Sequence, residues 1–142
     1  MVPTDANFHG NVFGGEILSE VDRVAFITAS RHAKTNCVTA SFDRVDFIQP
    51  VHVGDVVDFD GQITYVGHSS MEVWVRVRSE ALAGGDPRLV GEAYVTMVAV
   101  DATGRPTAVP PLATTTEEER RRFEEGRRRM EERRRARTPP GR

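Results

Sequence analysis

Hydrophobic side chains recur along this chain with two different periods, and the first of them is helical. Between Gly15 and Ala33 apolar residues return every three or four positions, while charged residues occupy the opposite side. This period of about 3.6 residues predicts an amphipathic helix. Residues 24–29 are apolar on nearly every side, and a helix of that kind has to be covered by other elements. We therefore predict one long, largely buried helix.

After this helix, apolar and polar residues alternate, which is the period of a β-strand. The alternation occupies four stretches, at residues 38–47, 56–66, 71–78 and 89–100. Turn-forming residues separate them, for example Pro50 and the glycines at 67, 84 and 85. Four strands joined by short turns predict an antiparallel meander. The fold class is therefore α+β, with a curved antiparallel sheet wrapped around one long central helix.

The composition changes at Thr114, where blocks of glutamate and arginine begin. Acid and base are often four positions apart, and each such pair stabilises a helix by about 0.2 to 0.5 kcal/mol. The large apolar residues of this segment, Phe123 and Met130, are too few for a coiled-coil seam. We expect a solvated, charged tail that is helical or disordered. The alternative is that its arginines contact a phosphorylated ligand or a neighbouring subunit. The predicted division is residues 1–113 for the folded domain and 114–142 for the tail.

Composition limits the possible functions. The chain has 142 residues, which suits one domain, and its formal net charge of -2 gives no indication of a nucleic-acid partner. Cys37 is the single cysteine, which excludes an intramolecular disulfide and a cysteine-based zinc site. No apolar run approaches the length that spans a bilayer. We expect a cytoplasmic protein that binds neither nucleic acid nor membrane.

The polar loop before the helix carries candidate chemistry. A carboxylate at Asp5 could take a proton from water, and Asn11 could orient the water or a carbonyl group through its amide. The N–H groups of Gly14 and Gly15, at the start of the helix, could stabilise negative charge on a carbonyl oxygen. This combination suits acyl transfer to water. The alternative is that Asp5 or Asn7 caps a turn that the glycines only permit.

These residues also carry a resemblance to a known family. The sequence Asp5-x-Asn7-x-x-Gly10-Asn11-x-Phe13-Gly14-Gly15 before a long helix is similar to that of the hot-dog-fold acyl-CoA thioesterases, in particular the acyl-CoA hydrolase group. Further matching blocks follow in the same order, at residues 47–55, 66–71 and 98–110. The resemblance covers roughly residues 3–111.

The resemblance implies a fold, an assembly and an activity. It implies a sheet that wraps the helix and a homodimer whose sheets join edge to edge, with two composite sites per dimer and often a trimer of dimers. The implied reaction is hydrolysis of an acyl-CoA thioester, with Asp5 as general base or nucleophile and Asn11 in the same or the facing site. Gly15 would polarise the thioester carbonyl. No metal and no separate cofactor are expected, since coenzyme A is part of the substrate.

The resemblance also places the coenzyme A moiety. It would run along the end of the strand that carries Val45 and Phe47, and along the turn formed by Gly67, His68, Ser69 and Ser70. Asn7 and Gly14 belong to the substrate-binding part of the loop. The acyl chain length stays open, because it depends on how far a tunnel extends beside the helix.

Other interpretations compete with this one. Asp22 on the helix is the fallback catalytic acid, because a helix carboxylate is catalytic in a related hot-dog branch; otherwise it is a buried or intersubunit hydrogen-bonding acid. A hot-dog dehydratase would need a histidine near the helix start, and none lies between Gly14 and Arg31. A non-catalytic acyl-CoA-binding module is the remaining alternative, although a binder has no use for a base at Asp5.

Overall fold

Two helices and four strands make up the part of the chain that the computed structural model describes, residues 10–12 and 14–137. The elements are α1 (Gly14–Ala33), β1 (Cys37–Phe47), β2 (Val56–Val66), β3 (Ser70–Glu80), β4 (Arg88–Ala99) and α2 (Glu117–Arg137). The predicted helix and strands are confirmed, with ends that agree closely. Among the described helices, none has the length and apolarity needed to cross a membrane.

The four strands form one antiparallel sheet in the order β1-β4-β3-β2. Strands β2, β3 and β4 are a meander, but β1 pairs with β4, so the prediction of a four-strand meander is wrong at β1. The chain between Phe47 and Val56 crosses two strands, about 14 Å at the usual strand spacing. Within this segment His52 forms a β-bridge with Asn11, and residues 52–55 form a turn in which the Asp55 N–H donates to the His52 carbonyl at 3.1 Å.

Helix α1 packs on one face of the sheet, which we call the inner face. Five residues at helical spacing are buried there against Met71, Met97 and the valines of β3: Ile17, Val21, Ala25, Ala29 and Ala33. The helix approaches β2 closely, because a Cβ at Gly61 would lie only 2.5 Å from the Thr28 hydroxyl. The expectation that residues 24–29 are covered on most sides is only partly correct, since Phe26 is 43% exposed.

Helix α2 packs on the opposite, outer face of the sheet. The prediction of a helix is confirmed, but the prediction of a solvated tail is wrong. Gly126 and Met130 are buried, and a Cβ at Gly126 would come within 2.8 Å of Tyr65 Cβ. Phe123 packs against the Tyr65 ring with centroids 5.0 Å apart. Helix α2 packs there because the outer face of the sheet carries aromatic and acidic side chains that the helix covers.

Arginines of α2 make specific contacts on this outer face. Arg122 lies over the Trp74 ring, 4.6 Å from its centroid, and Arg129 lies over Tyr94 at 3.9 Å. Arg133 forms an ion pair with Asp43 of β1 at 3.1 Å. The helix therefore reaches across the whole sheet, from β2 to β1.

Candidate active site

Exposed apolar side chains lie on α1 and on the neighbouring edge strand β1, and we call the surface between them the groove. Strand β1 has only β4 as a neighbour among the described strands. On its inner face Phe42 is 39% exposed and Phe47 is 54% exposed. The helix contributes Asp22 and, one turn later, Phe26. Exposed aromatic side chains along a free strand edge mark this groove as a binding surface.

Asp22 and Thr39 form the polar centre of this groove. The Thr39 hydroxyl donates a hydrogen bond of 2.6 Å to Asp22 Oδ1 and lies 3.4 Å from Met97 Sδ. Asp22 is half-buried and Thr39 is exposed, so the pair can meet a ligand from solvent. By contrast, the Asp43 carboxylate on the outer face accepts hydrogen bonds from Thr96 and Ser41 and pairs with Arg133.

The start of α1 presents a glycine surface. A Cβ at Gly15 would have nothing within 4 Å, whereas one at Gly14 would lie 3.4 Å from the Phe47 ring. The first N–H groups of a helix have no partner within the helix, and the dipole is positive there. The predicted pair Gly14 and Gly15 therefore offers accessible donors beside Phe47, on which an oxyanion can be held.

Asn11 is held by the loop that follows β1. Its side-chain oxygen lies 2.8 Å from His52 Nδ1. The backbone on either side is paired as well, because Val12 N–H donates to Val51 O at 2.8 Å and Val53 N–H donates to Gly10 O at 3.1 Å. The structure therefore uses Asn11 to fix the segment before the helix, and its predicted catalytic role stays a prediction.

A cavity of about 420 Å³ opens beside the helix start. Apolar side chains dominate its wall, which is formed by Val12, Gly14, Ile17, Phe47, Ile48, Gln49, Pro50, Val51 and Val90. Ile17 and Phe47 also border a much smaller void of about 10 Å³ toward Val45 and Ala93. Such a cavity suits an aliphatic chain with few polar groups.

The predicted coenzyme A residues fall into two separate groups. Gly67 N–H bonds to Ser70 O at 2.8 Å, which confirms the predicted reversal, and His68 O accepts a bond from Val109 N–H. In the sheet, however, Ser70 is level with Val98 and Phe47 is level with Gly91. At about 3.3 Å per residue this separates them by about 23 Å. Within one chain the structure therefore brings together Val45 and Phe47, but not the 67–70 turn.

Other residues singled out from the sequence are not part of the described groove. Asp5 and Asn7 lie outside the described residues. Cys37 is buried in the core, and this burial raises the pKa of its thiol, which makes it unreactive. Among the described side chains, no group of three or more His, Cys, Asp or Glu residues is arranged to hold a metal ion.

Sequence reasoning did not single out Thr39, which the structure places in hydrogen-bond contact with Asp22. Threonine is common in strands, so its presence at position 39 carried no signal by itself. The alternation gave no signal either, because Val38, Ala40 and Phe42 put Thr39 on the polar side of the strand. Only the register shifts of β1 bring Thr39 and Phe42 to the same inner face. Only the packing of α1 against β1 shows that Asp22 faces Thr39.

Comparison with known proteins places these features in a family. The sequence profile of the thioesterase superfamily matches residues 9–83. A Bacillus subtilis protein called an uncharacterized acyl-CoA thioester hydrolase is 44% identical over 108 residues, which cover 76% of this chain and 63% of that protein. The chain thus spans less than two thirds of the length of this relative.

Solved structures that are similar to this chain are also of acyl-CoA thioesterases and hydrolases. The crystal structure of an apo-hexameric acyl-CoA thioesterase is 43% identical with a TM-score of 0.90, covering 98% of this chain and 90% of that one. The acyl-CoA hydrolase of Staphylococcus aureus, solved with butyryl coenzyme A, coenzyme A and coenzyme A disulfide, is 36% identical with a TM-score of 0.88. It covers 96% of this chain and 84% of that one.

Alanine variants of the Staphylococcus aureus protein have also been solved. They replace an aspartate, an asparagine and a threonine of that protein. The asparagine precedes the aspartate by fifteen positions, and the threonine follows it by seventeen.

Proposed function

Since this chain belongs to the thioesterase superfamily, we propose that it hydrolyses an acyl-CoA thioester to a free carboxylic acid and coenzyme A. The observation that carries the proposal is the Asp22–Thr39 hydrogen bond of 2.6 Å in an exposed apolar groove. A carboxylate that accepts a hydrogen bond from a hydroxyl, next to an apolar surface that suits an aliphatic chain, can activate water for attack on an acyl group.

In the proposed mechanism Asp22 is the general base. Its carboxylate takes a proton from water, and the water oxygen bonds to the thioester carbonyl carbon. The negative charge that develops on the carbonyl oxygen is stabilised by the N–H of Gly15 and the positive end of α1. When the intermediate collapses, the carbon–sulfur bond breaks, and the proton on Asp22 is passed to the departing thiolate. The hydroxyl of Thr39 keeps the carboxylate oriented.

The assignment to Asp22 is supported by spacing. Asn7, Asp22 and Thr39 of this chain have the same separations, fifteen and seventeen positions, as the three residues replaced in the Staphylococcus aureus variants. We therefore propose Asn7, Asp22 and Thr39 as the polar residues of the site. Asp5, the first choice from sequence, becomes the alternative base.

The distance along α1 supports a composite site. Gly15 and Asp22 are seven residues apart on one face of the helix, which is about 10.5 Å along its axis. A base acts through one water on a carbonyl within about 6 Å, two hydrogen-bond lengths. A facing subunit can place its Asp22 directly opposite Gly15, whereas the two groups of one helix would have to reach the same thioester across this whole length. We therefore propose that the partner subunit's Asp22 faces Gly15.

The free edge of β1 supplies the contact for such a dimer. Phe47 lies at the Gly14 end of α1, and Thr39 lies beside Asp22 toward the other end of β1. When two copies of β1 pair antiparallel, the Phe47 end of one strand meets the Thr39 end of the other. The pairing also brings the 67–70 turn of one copy toward Phe47 of the other. We propose this homodimer as the catalytic unit, with a trimer of dimers as the higher assembly.

Thioester hydrolysis by the purified chain tests the proposal. Thiol release is measured on short, medium and long acyl-CoA substrates with wild type, Asp22→Asn, Thr39→Val and Asp5→Asn. We expect Asp22→Asn to lower kcat by at least about 100-fold. For Thr39→Val we expect about 10-fold, the loss of one hydrogen bond to a charged group. Asp5→Asn should be close to wild type.

Two outcomes would contradict this scheme in different ways. If Asp5→Asn abolishes turnover and Asp22→Asn does not, the base is Asp5. If wild type binds acyl-CoA of every length tightly but releases no thiol, the chain is an acyl-CoA-binding module rather than an enzyme.

A further inference from the structure

We infer that Asp55 is a positioning residue, whose carboxylate fixes the segment before α1 and one wall of the apolar cavity. The inference rests on the proposed function, because the elements that it positions are the proposed oxyanion site and the proposed acyl cavity. Asp55 does not line the cavity itself. It acts through residues 48–55, which we call the β1–β2 loop.

The Asp55 carboxylate ties this loop to the sheet. Its Oδ2 atom accepts hydrogen bonds from the backbone N–H of His52 at 3.1 Å, the hydroxyl of Ser79 at 2.9 Å and the guanidinium of Arg88 at 3.2 Å. The side chain is only 10% exposed. Because the donors belong to the loop, to β3 and to β4, the carboxylate joins three elements at one point.

Arg88 holds the loop at a second point. The same guanidinium nitrogen that contacts Asp55 donates to the carbonyl of Pro50 at 3.1 Å. Nearby, Ile48 N–H bonds to Val90 O at 2.9 Å. Pro50 and Val90 both line the cavity. The Asp55–Arg88 pair therefore fixes the position of this part of the cavity wall.

The loop in turn holds the residues that lead into α1. It does so by two backbone hydrogen bonds, between Val12 and Val51 and between Val53 and Gly10, and by the His52–Asn11 side-chain contact. The helix begins two residues after Val12. The contacts that fix the direction of the first helical N–H groups therefore pass through the loop that Asp55 braces.

A small displacement at this point should affect chemistry more than stability. Misplacing a reacting group by about 1 Å can lower the rate about 100-fold. A loosened helix start would weaken oxyanion stabilisation, which is a transition-state interaction and lowers kcat. A shifted cavity wall would instead change KM and the preference among acyl chains. An Asp55 that only stabilised the fold would alter neither below the melting temperature.

The test compares Asp55→Asn with Asp58→Asn, which removes an exposed acid three positions further along β2. Acyl-CoA hydrolysis is measured well below the melting temperature of both variants, and amide hydrogen exchange is followed at Val12 and Val53. We expect Asp55→Asn to lower kcat by about 10 to 100-fold and to speed exchange at both amides. Asp58→Asn should match wild type in both measurements.

Arg88 provides a second test that does not depend on the folding of Asp55→Asn. Arg88→Ala should reproduce the fall in kcat, Arg88→Lys should restore part of it, and the Asp55→Asn/Arg88→Ala double variant should be little worse than either single variant. Wild-type kcat in Asp55→Asn, or unchanged exchange at Val12 and Val53, would overturn the inference. Absence of wild-type turnover would defeat the proposed hydrolase instead, while the exchange comparison would still decide whether Asp55 holds the segment.

Discussion

Arg129 of the C-terminal helix forms a two-point ion pair with Glu72 of β3, whose carboxylate is completely buried. The two hydrogen bonds measure 2.9 and 2.8 Å, and Thr64 donates a third, of 2.7 Å, to the same carboxylate. The exposed fraction of the Glu72 side chain is zero. A buried charge of this kind is tolerated only with its partners in place. Helix α2 is therefore part of the folded unit.

Loss of Arg129 should destabilise the protein strongly. Arg129→Ala leaves the Glu72 charge buried without its partner, which we expect to cost about 3 kcal/mol in the free energy of unfolding. The measurement is urea unfolding. Arg128→Ala is the matched control, because Arg128 is exposed and its carboxylate contact at 3.8 Å is with Glu124 of the same helix. It should change stability by less than about 0.5 kcal/mol. Equal effects of the two variants would contradict the docked helix.

The same ion pair explains where prediction from the sequence failed. An acid at position 72 occupies an outward place in the alternating pattern of β3, which normally means exposure. Glutamates and arginines at helical spacing likewise indicate a solvated helix. Each pattern is correct for its own segment. Glu72 is buried because α2 covers it, and Arg129, its partner on this helix, is 57 residues further along the chain.

Local patterns did determine the elements themselves. The periods of 3.6 and 2 placed α1 and all four strands, because they depend on neighbouring residues. Strand pairing is different, because the alternation in β1 would fit beside β2 or β4 equally well. The bridge between Asn11 and His52, which joins the β1–β2 loop to the segment before α1, is likewise not visible in the sequence. For the site, the glycine helix start was recognisable by motif, whereas Thr39 became a candidate only through its hydrogen bond to Asp22.

Asp55 should make stability depend on acid pH. Burial raises the pKa of this carboxyl, but the hydrogen bonds from His52 and Ser79 and the charge of Arg88 outweigh it and hold the pKa below its ordinary value. Because the pKa is lower in the folded state, ionised Asp55 stabilises the fold fully at pH values above its pKa in the unfolded state, about 3.9. This stabilisation is lost as the pH falls toward the pKa of Asp55 in the folded state.

The corresponding measurement is the difference in unfolding free energy between wild type and Asp55→Asn as a function of pH. We expect the difference to be constant above about pH 5 and to shrink below about pH 4. Asp58→Asn serves as the control. A difference that stays flat down to about pH 3 would show that Asp55 is not held in its charged form by these partners.

Phe47 should limit the length of the acyl chain. Its ring borders both the 420 Å³ cavity and the small void behind it. Phe47→Ala would join the two spaces and let longer chains bury more methylene groups. Each methylene contributes about 0.8 kcal/mol, which is roughly fourfold in kcat/KM. We therefore expect the ratio of kcat/KM for long over short acyl-CoA to rise.

Phe42→Ala is the matched control for this shift. Phe42 lies on the inner face of β1, half-exposed, and does not line the cavity. Its replacement should leave the long-to-short ratio unchanged, even if total activity falls. The same ratio in wild type and Phe47→Ala would place the acyl chain elsewhere in the groove.

A composite site should allow two inactive variants to restore each other. Asp22→Asn removes the proposed base, and Gly15→Pro removes the proposed oxyanion donor at a position in the first helical turn, where proline is tolerated. In a hybrid dimer, one site receives Asp22 from one subunit and Gly15 from the other, both intact. Half of the dimers in an equal mixture are hybrids with one such site each, so about a quarter of wild-type activity should return after subunit exchange. Activity that stays at the level of the separate variants, with exchange verified by mass spectrometry, would place Asp22 and Gly15 of the same subunit in one site.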